Sequence, residues 1–260
     1  MSAGTVLTLH SYKGGTGKTF TATNLAAALA SEGKNVCLID FDLRAPSLDK
    51  VFGTDGRKFW INDFLDGRCE AEDILADLSK VVKGKGSLHV ALANPSMASI
   101  REAVTREKKW EMKALRRLIM FNEHLTQKMA MDYIIIDTNP GLSYSSINAV
   151  AAADMVLVVS SWDSSDLSGA QIMVKELYGM LEKHAMVLMN KIPASLLRDE
   201  AERKRMTSKL EASFNLPVID LLPCDCEVIR EEMSSILVLK KPNHPLSKSL
   251  VKVAHHIGKE

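Results

Sequence analysis

The sequence predicts an α/β fold: one doubly wound, mostly parallel sheet flanked by helices, formed as a single domain over residues 1–260. Three observations predict it. Short β-branched runs alternate with longer segments of helical periodicity along the whole chain. The runs are continuously apolar rather than alternating, as strands covered on both faces require. No internal repeat or low-complexity linker marks a boundary between domains.

Taken in order, VLTLH at 6–10 is the first strand and leads into a helical segment at 18–30. NVCLID at 35–40 is followed by polar residues, and LHVALA at 88–93 by a long amphipathic stretch at 100–128. YIIID at 133–137 precedes a helix at 145–153, and MVLVVS at 155–160 precedes one at 167–182. MVLMN at 186–190, PVIDLLP at 217–223 and ILVLKK at 236–241 read as three more strands, with helices at 194–214, 226–233 and 245–257. In such a sheet, ligands bind beyond the carboxyl ends of the strands, so the residues just after each run are the candidates.

After the first strand stands LTLHSYKGGTGKTFTATN, an apolar run, a Gly- and Lys-rich turn and a helix former. Gly14, Gly15 and Gly17 let successive N–H groups point into one concavity, and Lys18 and Thr19 begin the helix, so an anion there meets amides, a helix N-terminus and an ammonium together. The phosphate-binding set is Lys13, Gly14, Gly15, Thr16, Gly17, Lys18, Thr19 and Phe20. The strict pattern G-x-x-x-x-G-K-[ST] is broken, because Tyr12 holds the place of its first Gly while Lys13 adds a second lysine.

The loop K-G-G-T-G-K-T resembles the deviant phosphate loop of the ParA/MinD family of P-loop ATPases. The resemblance spans nearly the whole chain and implies ATP and Mg²⁺ as cofactors. In that family the extra lysine reaches the nucleotide of the opposite subunit in an ATP-bound homodimer, which gives Lys13 that role. The second aspartate of a D-x-D segment after the second strand positions the attacking water, which points to Asp42 in Asp40-Phe41-Asp42. With Lys18, these two residues form the expected catalytic set.

Thr19 is the expected direct Mg²⁺ ligand, Asp137 the acid that holds the ion through water, and Asp40 a support for its waters. The adenine site expected from the resemblance comprises Asn190, whose carboxamide both donates and accepts, and Pro223, Cys224 and Asp225. Asn139 departs from the family, which usually has Pro or Ala in that switch.

Composition fits a globular protein, with 46% hydrophobic and 25% charged residues, and the net charge of +1 argues against wholesale wrapping of nucleic acid. Cys37, Cys69, Cys224 and Cys226 are too few and scattered for a disulfide framework, so a reducing cytoplasm is the expected location. Cys224-Asp225-Cys226 lacks the second pair that a closed metal site needs. The residues before the first strand do not read as a charged-then-apolar leader and no apolar run reaches roughly 18 residues, so a protein neither secreted nor membrane-spanning is expected.

The resemblance therefore implies a Mg²⁺-dependent ATPase. Its ATP-driven dimerisation switches binding to a stimulating protein partner, to position or segregate DNA, a division-site regulator or a protein complex. Three alternatives are distinguishable. A MinD-like membrane regulator needs a free amphipathic tail; SLVKVAHHIGKE places Leu250, Val253, Ala254 and Ile257 on one face, which is expected to pack on the domain instead. A tyrosine kinase related to the family shares DFDLRAPSL but ends in a tyrosine cluster, and here no Tyr follows Tyr178.

Asp42, Lys13 and Thr19 argue against the third alternative, a nucleotide-binding scaffold without turnover. DNA binding calls for a basic surface, and Arg198, Arg203, Lys204, Arg205 and Lys209 are diluted by Asp199, Glu200 and Glu202. The preferred partner surface is the 100–128 stretch, with Arg101, Arg106, Lys108, Lys109, Lys113, Arg116 and Arg117 against Glu102, Glu107 and Glu111.

Overall fold

The computed structural model describes residues 4–54, 56–82, 84–225, 228 and 236–259. Eight strands form one sheet: β1 (Thr5–His10), β2 (Asn35–Phe41), β3 (Leu75–Asp77), β4 (Ser87–Ala91), β5 (Tyr133–Thr138), β6 (Met155–Ser161), β7 (His184–Ile192) and β8 (Val218–Pro223). Their order is β3-β4-β2-β5-β1-β6-β7-β8, and every pairing is parallel except β3 with β4. The expected mostly parallel sheet is what forms. β1 lies centrally between β5 and β6, so the loop that follows it opens at the middle of the carboxyl edge.

The helices are α1 (Lys18–Ser31), α2 (Asp49–Phe52), α3 (Ile61–Asp66), α4 (Met97–Thr105), α5 (Lys108–Gln127), α6 (Tyr144–Ala151), α7 (Ser164–Met173), α8 (Gly179–Leu181) and α9 (Glu200–Phe214). A turn Leu237–Lys240 and a helix Pro245–Ile257 follow. One apolar layer packs the α3, α5, α6, α7 and α9 side of the sheet; the other packs α1 and the C-terminal helix against the opposite face. Ala26, Ala27, Ala28 and Ala30 let α1 run between the strands and that helix, so nearly all of it is buried.

The face of Leu250, Val253, Ala254 and Ile257 is buried against the domain as expected. Each of the larger three contributes roughly 2 kcal/mol through the apolar area it removes from water. This helix has no free apolar face for a lipid surface, and among the described residues no helix is long and apolar enough to cross a membrane.

Three expectations need correction. ILVLKK is not a strand: Leu237–Lys240 is a helical turn whose Leu237 and Val238 are buried, with the Val238 amide donating to Asn24 Oδ1 at 2.9 Å. Its apolar run fills the layer over α1 rather than joining the sheet. The 100–128 stretch is two helices, broken where Arg106 and Glu107 adopt extended backbone. Arg106 turns inward there, bonding Asp66 at 3.0 Å and stacking 3.7 Å from the Trp110 ring, while Arg117 Nη1 donates to Phe64 O at 2.9 Å. Two cations expected on a partner surface thus tie α3 to α5. The helix expected at 167–182 contains a π-turn at Val174–Tyr178. The helix expected at 226–233, and Cys226 with it, lies outside the described residues apart from Val228.

The antiparallel edge strand β3 was not expected, being only three residues long.

Candidate functional site

The carboxyl edge around β1 carries a cleft of about 840 Å³ lined by Gly14, Gly15, Gly17, Lys18, Thr19, Phe20, Asp42, Ser47, Thr138, Pro140 and Lys191, among others. Gly17 sits immediately before α1 with φ 100°, a left-handed conformation open to glycine at little cost. The turn aims the α1 N-terminus into the cleft. Lys18 is buried and donates through Nζ to Ser11 Oγ at 2.6 Å, and Ser11 Oγ donates to Lys13 O at 2.7 Å. Burial draws the Lys18 pKa down, while Asp137, Asp42 and Asp166 pull it back up.

Parallel pairing of β2 and β5 sets Asp40 directly beside Asp137. Both carboxyls are fully buried, and burial raises both: Asp137 to about 6, Asp40 well above the usual range with the Asp137 charge adding to the effect. Thr19 Oγ1 donates to Asp137 Oδ2 at 2.6 Å, while Asp137 Oδ1 is buried without a hydrogen-bond partner. Two adjacent buried acids and one unpartnered oxygen are costly unless a cation balances them. Together with the Thr19 hydroxyl they fit a hard, oxygen-seeking divalent ion. Ser47 adds a hydroxyl 3.2 Å from Thr19 Oγ1.

Asp40 has a second task. Its Oδ1 accepts from Asp42 N at 3.2 Å, and its Oδ2 from Ser47 N at 3.3 Å and Leu48 N at 3.2 Å, so it folds the 42–48 segment over the cleft. Asp42 Oδ1 accepts from Ala45 N at 2.9 Å, which leaves this carboxyl on the cleft wall.

Lys13 points elsewhere. It lies outside the cleft lining, and its Nζ pairs with Asp163 Oδ1 at 3.1 Å and contacts Ser165 Oγ at the start of α7. Its amide donates to buried Asp166 Oδ1 at 3.2 Å, and the neighbouring Tyr12 ring lies where a Cβ on Gly169 would stand, 2.0 Å from Tyr12 Cε1. Helix α7 is thus docked on the phosphate loop at several points.

The structure brings Asn190, Pro223, Cys224 and Asp225 together around a recess of about 30 Å³ beside Gly17 and Phe20. Space for roughly one water must widen before a base can enter. Asn190 Nδ2 donates to Thr16 O at 2.8 Å, which braces the loop, and its Oδ1 accepts from Lys191 N at 2.8 Å, which holds the carboxamide in that orientation. Thr16 is buried, with its hydroxyl unpartnered.

Lys191 was missed by sequence reasoning. It has φ 57° and donates from Nζ to Gly15 O at 2.5 Å on the cleft rim. Its position directly after Asn190, at a strand's carboxyl end, was the available signal. Ser11 and Ser47 carried none beyond their polarity. Asn139 is buried and bonds Ser143 Oγ at 2.6 Å and Ser145 Oγ at 3.0 Å, which fixes the 139–143 turn by side-chain bonds. Among the described residues no cluster of His, Cys, Asp and Glu forms a closed metal cage.

The site invites comparison with known proteins. A family described as an AAA domain matches residues 4–192. The septum site-determining protein MinD of Thermotoga maritima is 28% identical over 260 residues, 99% of this chain and 89% of that protein. MinD of Synechocystis is 30% identical over 228 residues, 86% of this chain and 77% of that one. The solved structure of MinD from Pyrococcus horikoshii, complexed with Mg-ADP, superposes with a TM-score of 0.77 at 23% identity, covering 98% of this chain and 96% of that chain. A family match over most of the chain, a relative at 30% identity and the phosphate loop on this sheet all agree: the chain belongs to the ParA/MinD family of P-loop ATPases.

Proposed function

We propose that this chain is a Mg²⁺-dependent ATPase whose ATP-driven dimerisation switches its binding to a partner protein. The observation that carries the proposal is that Lys18, Thr19 and Asp42 line one cleft at the α1 N-terminus, with the buried Asp40/Asp137 pair directly behind Thr19. Lys18 and the loop amides hold the phosphates, and Thr19 with Asp137 holds the ion, with Asp40 behind them. Bound there, Mg²⁺ supplies positive charge against the phosphate oxygens. Asp42 orients the attacking water in line with the terminal phosphate, the main contribution a protein makes to phosphoryl transfer besides charge stabilisation. The base occupies a widened recess at Asn190 and 223–225.

Lys13 serves a second copy of the chain. Its ion pair with Asp163 is largely exposed, with side chains 43% and 58% accessible, and solvent screens such a pair so that it contributes little. Little holds it back from a nucleotide presented across an interface. The 42–48 and 138–142 segments line the cleft and are the parts that nucleotide state moves. The output is spatial positioning, as the septum site-determining relatives suggest. Basal turnover is slow, with a protein partner stimulating it.

Steady-state phosphate release tests the chemistry. Wild type turns over, whereas Asp42→Ala and Lys13→Ala fall by about tenfold or more; equal rates in all three would sink the catalytic roles. Light scattering on Asp42→Ala tests the switch: doubled mass with Mg²⁺ and ATP supports it, and unchanged mass contradicts it.

A further inference from the structure

His10 ends β1 fully buried, and both of its ring nitrogens are bonded. Nε2 lies 2.8 Å from Gly141 O, and Nδ1 lies 2.7 Å from the Tyr178 hydroxyl. A carbonyl only accepts, so Nε2 carries the hydrogen and Nδ1 accepts from Tyr178. Burial, with a smaller effect from Lys18, lowers the ring's pKa to about 4 against the opposing Gly141 bond, so it is neutral.

The two partners belong to different parts of the molecule. Gly141 lies in the segment after β5, with φ 78°; its amide donates to Ser11 O at 2.9 Å, and its carbonyl also accepts from Ser146 Oγ at 2.6 Å. Tyr178 ends the π-turn and lines a groove of about 600 Å³ with Ser168, Ile172, Phe214 and Leu216 on the outer side of α7. One buried imidazole therefore links the segment that follows Pro140 of the cleft wall to a residue of the groove beside α7.

We infer that His10 is a positioning residue that couples Gly141 to Tyr178, so that a rearrangement of the 138–142 segment is transmitted to the π-turn. The inference rests on the proposed response of that segment to nucleotide. Its physical basis is that the ring has one donor and one acceptor, each with one partner. Displacing Gly141 leaves a buried N–H unpaired, and the ring or the Tyr178 bond has to adjust. Val6, on the same face of β1 as His10, is buried and apolar, and packing alone would be satisfied by another aliphatic side chain. A π-turn carries a local irregularity in its hydrogen-bond ladder, which suits it to shifting register.

Hydrogen exchange read by mass spectrometry tests the coupling on the full chain, with Mg²⁺ and the non-hydrolysable analogue AMP-PNP. Wild type, His10→Ala, His10→Gln and Tyr178→Phe are compared, with AMP-PNP affinity measured on the same samples. In wild type, nucleotide changes exchange at both 139–146 and 174–181. In His10→Ala and Tyr178→Phe the first response persists, while the second falls about fivefold or more. His10→Gln, whose amide donor takes the place of Nε2, retains it. Turnover follows the same order, with kcat down about tenfold in His10→Ala at an affinity within about threefold of wild type.

A 174–181 response that is equal in all four proteins, or absent in wild type that binds nucleotide, overturns the coupling alone. So does a glutamine variant indistinguishable from alanine. Wild type that fails to bind nucleotide overturns the proposed function and the coupling with it. Should His10→Ala not fold, Tyr178→Phe, which removes a single hydroxyl, decides.

Discussion

Gly17 and Asn190 approach so closely that a Cβ on Gly17 would stand 2.3 Å from Asn190 Nδ2. Asn190 cannot simply step aside, because it is buried and bonded at both ends of its carboxamide. Gly17→Ala therefore combines left-handed strain with loss of the Thr16 bond, together about 2–4 kcal/mol. Gly15→Ala is the control: its φ is 77° but nothing lies within 4 Å of the added Cβ, so only strain of about 1–2 kcal/mol is expected. Urea unfolding of both variants checks the order, and nucleotide binding is lost in Gly17→Ala.

Asn190 itself braces the loop. Asn190→Ala leaves the Thr16 carbonyl without its donor and lowers stability by about 1–2 kcal/mol, with nucleotide affinity down about tenfold. Asn190→Asp is worse for affinity, because a carboxylate oxygen then faces that carbonyl. Titration with a fluorescent ATP analogue distinguishes the two.

Asp137 bears a burial cost that a bound cation is expected to offset. Its native pKa is raised from 3.8 to about 6 by burial, so the folded state binds its proton more tightly than the unfolded chain. Stability from this group falls as pH rises from about 4 to 6, and the full cost, at most about 3 kcal/mol, persists at neutral pH without Mg²⁺. Asp137→Asn is accordingly more stable than wild type in EDTA at pH 7 and gains nothing from added Mg²⁺. Thermal unfolding with and without the ion measures both.

His10 has the opposite sign. Its native pKa is depressed from 6.5 to about 4, so the stability it confers is fully present above about pH 6.5 and is lost as pH falls towards 4. That range spans about 3 kcal/mol. Urea unfolding between pH 4 and 8 should show a shallower decline in His10→Gln than in wild type, by up to one proton's slope.

The sheet was legible because parallel strands buried on both faces write themselves as uninterrupted apolar runs. ILVLKK shows the limit of that signal, since a buried helical turn produces the same run. The 100–128 stretch kept helical periodicity across its break, and only the inward turn of Arg106 onto Trp110 and Asp66 reveals it. At the site, Lys18, Thr19 and Asp137 could be located from order along the chain, whereas the adjacency of Asp40 and Asp137 depends on β2 pairing with β5. The bonds of Lys191 to Gly15 and of His10 to Tyr178 join residues far apart in sequence, and no local pattern encodes them.

The contact between Tyr12 and Gly169 extends the phosphate loop's working parts beyond its own segment. Any side chain at Gly169 forces the Tyr12 ring, next to Lys13 in the loop, to swing away from α7. A directed-evolution library randomised only around residues 12–19 would hold fixed one of the positions that limits what those residues can become. A spectroscopic reporter attached at Gly169 would disturb the loop it was meant to observe.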